Sequence, residues 1–308
     1  MKKRLISGII YIAILVAFFC LKFFVPTVNE VPYGDFCFDV LIYAFALIGT
    51  FDMLRALKDN TTKAERAIVL IYAGLSIPTC ALFQWWLGTG LQVLGGSVFL
   101  LALGLLCLFV AEHKTATLES VGLSLLAAVY PTLMLGQMVL ANHMGVGDNA
   151  TLAKYALDSR IMLLLIFVVS PCADTVAYVF GVCFKKYLPR KMAPELSPNK
   201  TVIGGIGGLV GGMIGATALY FLYNWQWGSF DKMYIWLPVY VVVGLVASIA
   251  TEFGDLVESS IKRKLGVKDM GNIMPGHGGI LDRIDGTLFA TVVVYFAFVL
   301  IRICCGAI

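Results

Sequence analysis

Three acidic residues, Glu252, Asp255 and Glu258, recur at every third position where an apolar run ends. On a helix that spacing gathers them into one strip. Asp282 and Asp285 repeat it just before the next apolar run. Carboxylates brought together this way repel unless a cation sits between them. Hard oxygen donors of this kind, beside a phosphate, suit Mg²⁺. Taken alone, each strip reads more simply as a solvated charge cluster at a helix end. Between the strips lie Lys262, Arg263, Lys268 and Arg283, with the run Pro275-Gly276-His277-Gly278-Gly279. Alternating acids and bases, with Gly278 and Gly279 admitting close backbone approach, suit a metal-bound polyphosphate. An ion-pair network has a similar composition. His277 reads as a phosphate contact or a shaper of the loop rather than a metal ligand.

A second polar segment reads Ser197-Pro198-Asn199-Lys200-Thr201. Ser-Pro marks a turn. Lys-Thr before a helix places a cation and a hydroxyl near free backbone N–H groups, which makes Ser197, Lys200 and Thr201 an anion site or an ordinary helix start. Upstream, Asp174 sits inside an apolar run beside Ser170, Pro171, Thr175 and Tyr178. A carboxylate there is costly unless it faces a polar cavity or a partner. Downstream, glycines fall four apart in two registers, Gly204/Gly208/Gly212 and Gly207/Gly211/Gly215. Small-residue faces of that kind let helices pack closely in a membrane.

The elements that position these residues are membrane spans. Of the 308 residues 59% are hydrophobic and only 14% charged, against roughly 25% charged in soluble domains. Mean hydropathy is +0.87. A soluble fold cannot bury that much apolar surface without a charged shell. The net charge of +4 is modest and carries no basic patch of the kind that binds nucleic acid. Eight scattered cysteines form no CxxC pair and read as small buried hydrophobes. With three histidines, a zinc site is disfavoured.

A bilayer core of about 30 Å takes roughly 20 apolar residues per helix. Nine runs meet that need: 5–25, 36–54, 67–86, 91–110, 118–140, 161–180, 202–223, 234–250 and 287–303. The first, opening Met1-Lys2-Lys3-Arg4, reads as a retained helix rather than a cleaved signal. The fourth and fifth, joined by Glu112-His113-Lys114, form a tight hairpin. The expected fold is all-α: a polytopic integral membrane protein of about nine transmembrane helices. Lys and Arg concentrate at the N-terminus and in the loops after the second, sixth and eighth runs, whereas the alternate loops are poor in them. The positive-inside bias predicts a cytoplasmic N-terminus and puts both polar segments, 174–201 and 252–285, on the cytoplasmic side.

These residues resemble the signature of the phosphatidate cytidylyltransferase, or CDP-diacylglycerol synthase, family. That signature has the form S-x-x-K-R-x4-K-D, a short spacer, then H-G-G-x-x-D-R-x-D. Here it reads Ser259, Lys262-Arg263, Lys268-Asp269, His277-Gly278-Gly279, Asp282-Arg283 and Asp285, with every charged position and spacing kept. Gly254-Asp255-Leu256 with Glu258-Ser259, Asp174-Thr175-Val176-Ala177-Tyr178 with Gly181, and Ser197 to Thr201 resemble three further family segments. Met274 is a mild departure. Ile203 stands where the family carries Glu, so no acidic role transfers to that position. The motif resemblance covers about 174–285; the first five runs match only as an apolar bundle.

The resemblance implies transfer of the cytidylyl group of CTP to phosphatidate, giving CDP-diacylglycerol and diphosphate for phospholipid biosynthesis at a bacterial cytoplasmic membrane. It implies dependence on Mg²⁺, with room for a second cation, a site facing the cytoplasm, and a homodimer. The chain reads as one membrane domain, with 1–160 supplying N-terminal helices and 161–308 the catalytic helices and loops. Asp255, Asp282, Asp285 and, less centrally, Glu258 are the expected metal ligands. Lys200, Lys262, Arg263 and Lys268 are expected on phosphates of CTP or phosphatidate. Asp174 would orient a base or the lysines, and Arg283 would meet phosphate or pair with Asp255. One rival is a CTP-dependent polyprenol or other lipid kinase, which needs a hydroxyl nucleophile and a general base. The D-G-x-x-A-R pattern of CDP-alcohol phosphatidyltransferases does not follow Asp285-Gly286. An ion-coupled transporter would spread its polar residues near the midplane of several helices, unlike this chain.

Overall fold

A computed structural model describes residues 2–145, 158–184, 186–187, 190–227, 233–274 and 278–304. Among them are nine helices long and apolar enough to cross a membrane. They are α1 (Lys2–Phe24), α2 (Tyr33–Ala56), α3 (Lys63–Leu87), α4 (Gly90–Ala111), α5 (Leu118–Asn142), α6 (Ser159–Cys183), α7 (Val202–Trp227), α8 (Met233–Lys264) and α9 (Leu281–Cys304). A short antiparallel hairpin, β1 (Lys191–Ala193) and β2 (Ser197–Thr201), precedes α7. The nine apolar runs thus reappear as nine helices.

Three boundaries differ from expectation. Helix α8 does not end at its acidic strip but runs on through Glu252, Asp255, Glu258 and Lys262 to Lys264. Helix α9 starts at Leu281, so Asp282 and Asp285 lie inside it rather than before it. Charged residues end a hydropathy run without ending a helix, whose backbone hydrogen bonds continue into the polar region. Ser197-Pro198 is strand, not turn; the turn falls at 194–196. Proline is tolerated on an edge strand because no ladder bond is lost there.

The helices group into two compact units, Met1–His143 with Lys264–Ile284, and Met144–Arg263 with Asp285–Ile308. In the first, Phe38, Ile42, Met53, Ile77, Leu94 and Leu135 form the interior. Glu65, fully buried, fastens two helix starts. It accepts the Thr62 N–H at 2.7 Å in the capping box that opens α3, and the Ser120 hydroxyl of α5 at 2.6 Å. Caps of this type contribute about 1 kcal/mol each. A π-helical turn at Val129–Leu133 accommodates Pro131 within α5. At the far end of α2, Lys22 pairs with Asp35 at 2.6 Å and His143 with Asp39 at 2.6 Å. Asn142 donates to Asp39 at 2.8 Å. Both carboxylates thereby face a charged or hydrogen-bonding partner rather than apolar surroundings.

In the second unit both glycine registers of α7 are interfaces. A Cβ on Gly211 would meet the Cys172 carbonyl of α6 at 2.5 Å, and one on Gly215 would meet Cys172 Cβ at 3.0 Å. A Cβ on Gly212 would meet the Gly244 carbonyl of α8 at 2.7 Å. The Gly207/Gly211/Gly215 register faces α6 throughout; in the other, Gly204 faces α6, Gly208 both α6 and α8, and Gly212 α8, so these small-residue faces admit both neighbours closely. Elsewhere in this unit Tyr240 meets Tyr220 at a tilt and Phe298 edge to face.

Candidate active site

The close α6–α7–α8 packing brings together residues that are far apart in sequence. Lys200, at the end of β2, reaches two carboxylates of the α8 strip. Its Nζ lies 2.7 Å from Asp255 Oδ2 and 3.3 Å from Glu252 Oε2. Burial by itself lowers the Lys200 pKa; Asp255 and then Glu252 outweigh it, so the ammonium titrates above its usual 10.5. Asp174, on α6, lies within electrostatic reach of Asp255, Lys200, Asp285 and Glu252. One turn along α8, Glu258 pairs with Lys262. Glu258 lies within electrostatic reach of Asp285, and Asp285 accepts the Gly286 N–H at 2.9 Å.

Helices α8 and α9 meet at glycines beside these acids. A Cβ on Gly254 would fall 2.8 Å from the Asp285 carbonyl, and one on Gly286 would fall 3.0 Å from Asp255 Oδ1. Only glycine at both positions allows the two acidic helices so close.

A cavity of about 630 Å³ opens beside the cluster. Asp174, Tyr178, Gly204 and Glu252 line it, with three cations, Lys186, Lys191 and Lys200. Its size suits a nucleotide or lipid headgroup, and its lysines suit phosphate. Thr201 also lines it, while its Oγ1 accepts the Gly204 N–H at 3.1 Å and so caps α7. That hydroxyl serves the helix start first. Ser197 opens β2, half-buried.

Asp255, Glu258 and Asp285 offer hard oxygen donors in mutual reach. The three carboxylates outnumber the two ammonium groups of Lys200 and Lys262, a donor chemistry that fits Mg²⁺. Among the described residues no three such groups already surround one point, so the donors are present without a finished cage.

In the first unit, the segment leading into α9 folds around Asp282. Its Oδ2 accepts the N–H groups of Met270 at 2.9 Å and Gly279 at 2.7 Å. Gly278 has φ +86, a left-handed conformation that glycine adopts without cost, and its carbonyl accepts the Met274 N–H at 2.9 Å. Arg263, Lys268 and Arg283 are exposed. His277 lies outside the described residues.

The structure therefore gathers Asp174, Lys200, Asp255, Glu258, Lys262 and Asp285, and gives Asp282 a loop-organising role. Two residues at these sites escaped the sequence-based assignment. Glu252 belongs to the acidic strip, yet its pairing with Lys200 across 52 positions left no trace in spacing. Asp52, in α2, accepts the Ile280 N–H at 3.0 Å; its one signal was a carboxylate at the end of an apolar run.

Residues 2–301 match the cytidylyltransferase family model. The chain is 31% identical over 300 residues to a phosphatidate cytidylyltransferase of Bacillus subtilis (strain 168), covering 97% of this chain and 98% of that one. It is 43% identical over 132 residues to a phosphatidate cytidylyltransferase of Staphylococcus haemolyticus, covering 43% of this chain and 46% of the relative. The similarity extends through the N-terminal helices, well beyond the motifs. The chain belongs to the cytidylyltransferase family.

Proposed function

We propose that this chain transfers the cytidylyl group of CTP to phosphatidate, forming CDP-diacylglycerol and releasing diphosphate. The observation that carries this reading is identity of 31% across 97% of the chain to an enzyme of that name. The lysine-lined cavity beside a carboxylate cluster gives it a chemical basis. The site faces the cytoplasm of a bacterial cell, where CTP is at hand, and the enzyme works as a homodimer.

A phosphate-monoester oxygen of phosphatidate attacks the α-phosphorus of CTP. A new P–O bond forms, the bond from the α-phosphorus to its bridging oxygen breaks, and diphosphate leaves with the electron pair. A phosphomonoester has a second pKa of about 6 and is largely ionised at neutral pH, so no strong general base is needed. The barrier lies in bringing two polyanions together, and positioning with charge neutralisation dominates.

Lys200 and Lys262, with Arg263 and Lys268, neutralise phosphate oxygens; Lys186 and Lys191 add charge at the cavity wall. Asp174 and Glu252 orient Lys200. Asp255, Asp285 and Glu258 are the candidate Mg²⁺ ligands, with Asp282 added on the motif resemblance alone, and the bound ion would supply charge neutralisation to the phosphoryl oxygens. The acyl chains enter sideways between helices and stay in lipid.

The test is direct. Purified protein with CTP, phosphatidate and Mg²⁺ yields a lipid that retains the cytidine and releases diphosphate. A phosphorylated lipid with free CDP would instead make the chain a kinase and overturn the reading.

A further inference from the structure

We infer that the last turn of α2, through Asp52 and Arg55, is a positioning device for the loop that carries the family signature. The inference rests on the cytidylyltransferase reading and adds residues from outside the signature to it. Asp52 is 1% exposed, inside the first unit, where an unpartnered carboxylate is costly. It is held by the loop: its Oδ2 accepts the Ile280 N–H at 3.0 Å. Gly271 and Gly279 pass so close to this carboxylate that a Cβ on either would collide with it. The glycines at these positions thus make room for a side chain from another helix.

One turn further along α2, Arg55 donates to Asn272 Oδ1 at 2.6 Å. The loop is therefore fastened to α2 at two described points, Asn272 and Ile280. Within it Asp282 fastens Met270 to Gly279. The backbone around Gly278 and Asp282 is thus set by α2 as much as by its own sequence. Neither Asp52 nor Arg55 touches the reacting groups; each acts through the loop.

Hydrogen exchange and turnover test it together. In the purified protein without nucleotide or metal, Asp52→Ala should speed exchange of the 278–284 amides while α3 and α4 stay protected. Its kcat, normalised to the folded fraction, should fall by roughly tenfold to a hundredfold, the scale of an ångström-sized misplacement. Asp52→Asn keeps an acceptor for the Ile280 N–H and should recover most of that loss. Arg55→Ala alters only an exposed contact and should speed exchange near 271–274 with a smaller fall in kcat. It serves as the deciding variant if Asp52→Ala does not fold. Wild-type exchange and kcat in Asp52→Ala overturn the inference. So does an Arg55→Ala protein, tested alone, in which both are unchanged. An inactive wild-type protein would instead sink the cytidylyltransferase reading.

Discussion

The ammonium of Lys200 lies 2.7 Å from the Asp255 carboxylate, joining the end of a two-stranded hairpin to the middle of the acidic strip on α8. Asp255 and Glu252 together hold that lysine protonated above its usual range. A cation fixed beside a cavity of nucleotide size is the simplest way to receive a nucleotide's charge, and its loss is the sharpest single test of the site.

Lys200→Ala should lower CDP-diacylglycerol formation by about a hundredfold or more, since one preorganised charge contact is removed where negative charge collects. Turnover and CTP KM at wild-type values would remove Lys200 from the phosphate site. The same variant has a pH signature. Because the folded pKa is raised, the pairing stabilises the fold fully below 10.5 and loses its effect as pH rises through the folded value above that. Unfolding midpoints in detergent should fall more steeply above that pH for wild type than for Lys200→Ala.

Gly211→Ala and Gly212→Ala should each destabilise the second unit by about 1–3 kcal/mol, because the new methyl meets a backbone carbonyl that cannot swing aside. Gly74→Ala, in α3, has open space around the added carbon and gains helix propensity of up to about 1 kcal/mol. Thermal melts of the three variants separate close packing from a general intolerance of glycine replacement. Equal midpoints would refute the two-faced packing of α7.

Asp282→Ala should abolish most activity and also lower the unfolding midpoint. Its carboxylate accepts two buried backbone N–H groups, and stranding each costs about 1–3 kcal/mol. Asp282→Asn keeps one acceptor and should melt closer to wild type. Should its activity stay as low as that of Asp282→Ala, the charge itself is needed, as a Mg²⁺ ligand requires. Full activity in Asp282→Asn would confine this residue to shaping the loop.

The spans were legible because lipid demands long apolar runs, and the acidic strips because a helix repeats its face every three to four residues. What the chain hid was partnership. Nothing in the spacing ties Asp52 to Ile280, 228 positions away, or Lys200 to Asp255, 55 positions away. Helix packing creates those pairs. The extension of α8 to Lys264 was hidden for a related reason: Glu258 and Lys262 pair four residues apart, sustaining a helix after its hydropathy has ended. The glycine registers were readable because close packing needs no particular partner sequence, only a missing side chain.

The loop charges make a prediction about sidedness. Arg55, Lys58, Lys63 and Arg66 surround the α2–α3 loop, whereas Glu30 and Asp35 flank the preceding one. Bases near span ends resist translocation, while acids contribute little. Alkaline phosphatase, which folds only outside the cytoplasm, should be inactive when fused between Lys58 and Lys63. It should be active when fused at Glu30 or at the C-terminus, since the candidate spans among the described residues number nine, an odd count. Lys200 follows α6, an even number of spans from the N-terminus, and so shares its side. Activity of the Lys58 fusion, with silence at Glu30, would put the Lys200 cavity on the face without CTP. That result would contradict the proposed reaction as well as the orientation, which makes the fusion series a second, independent test of the site.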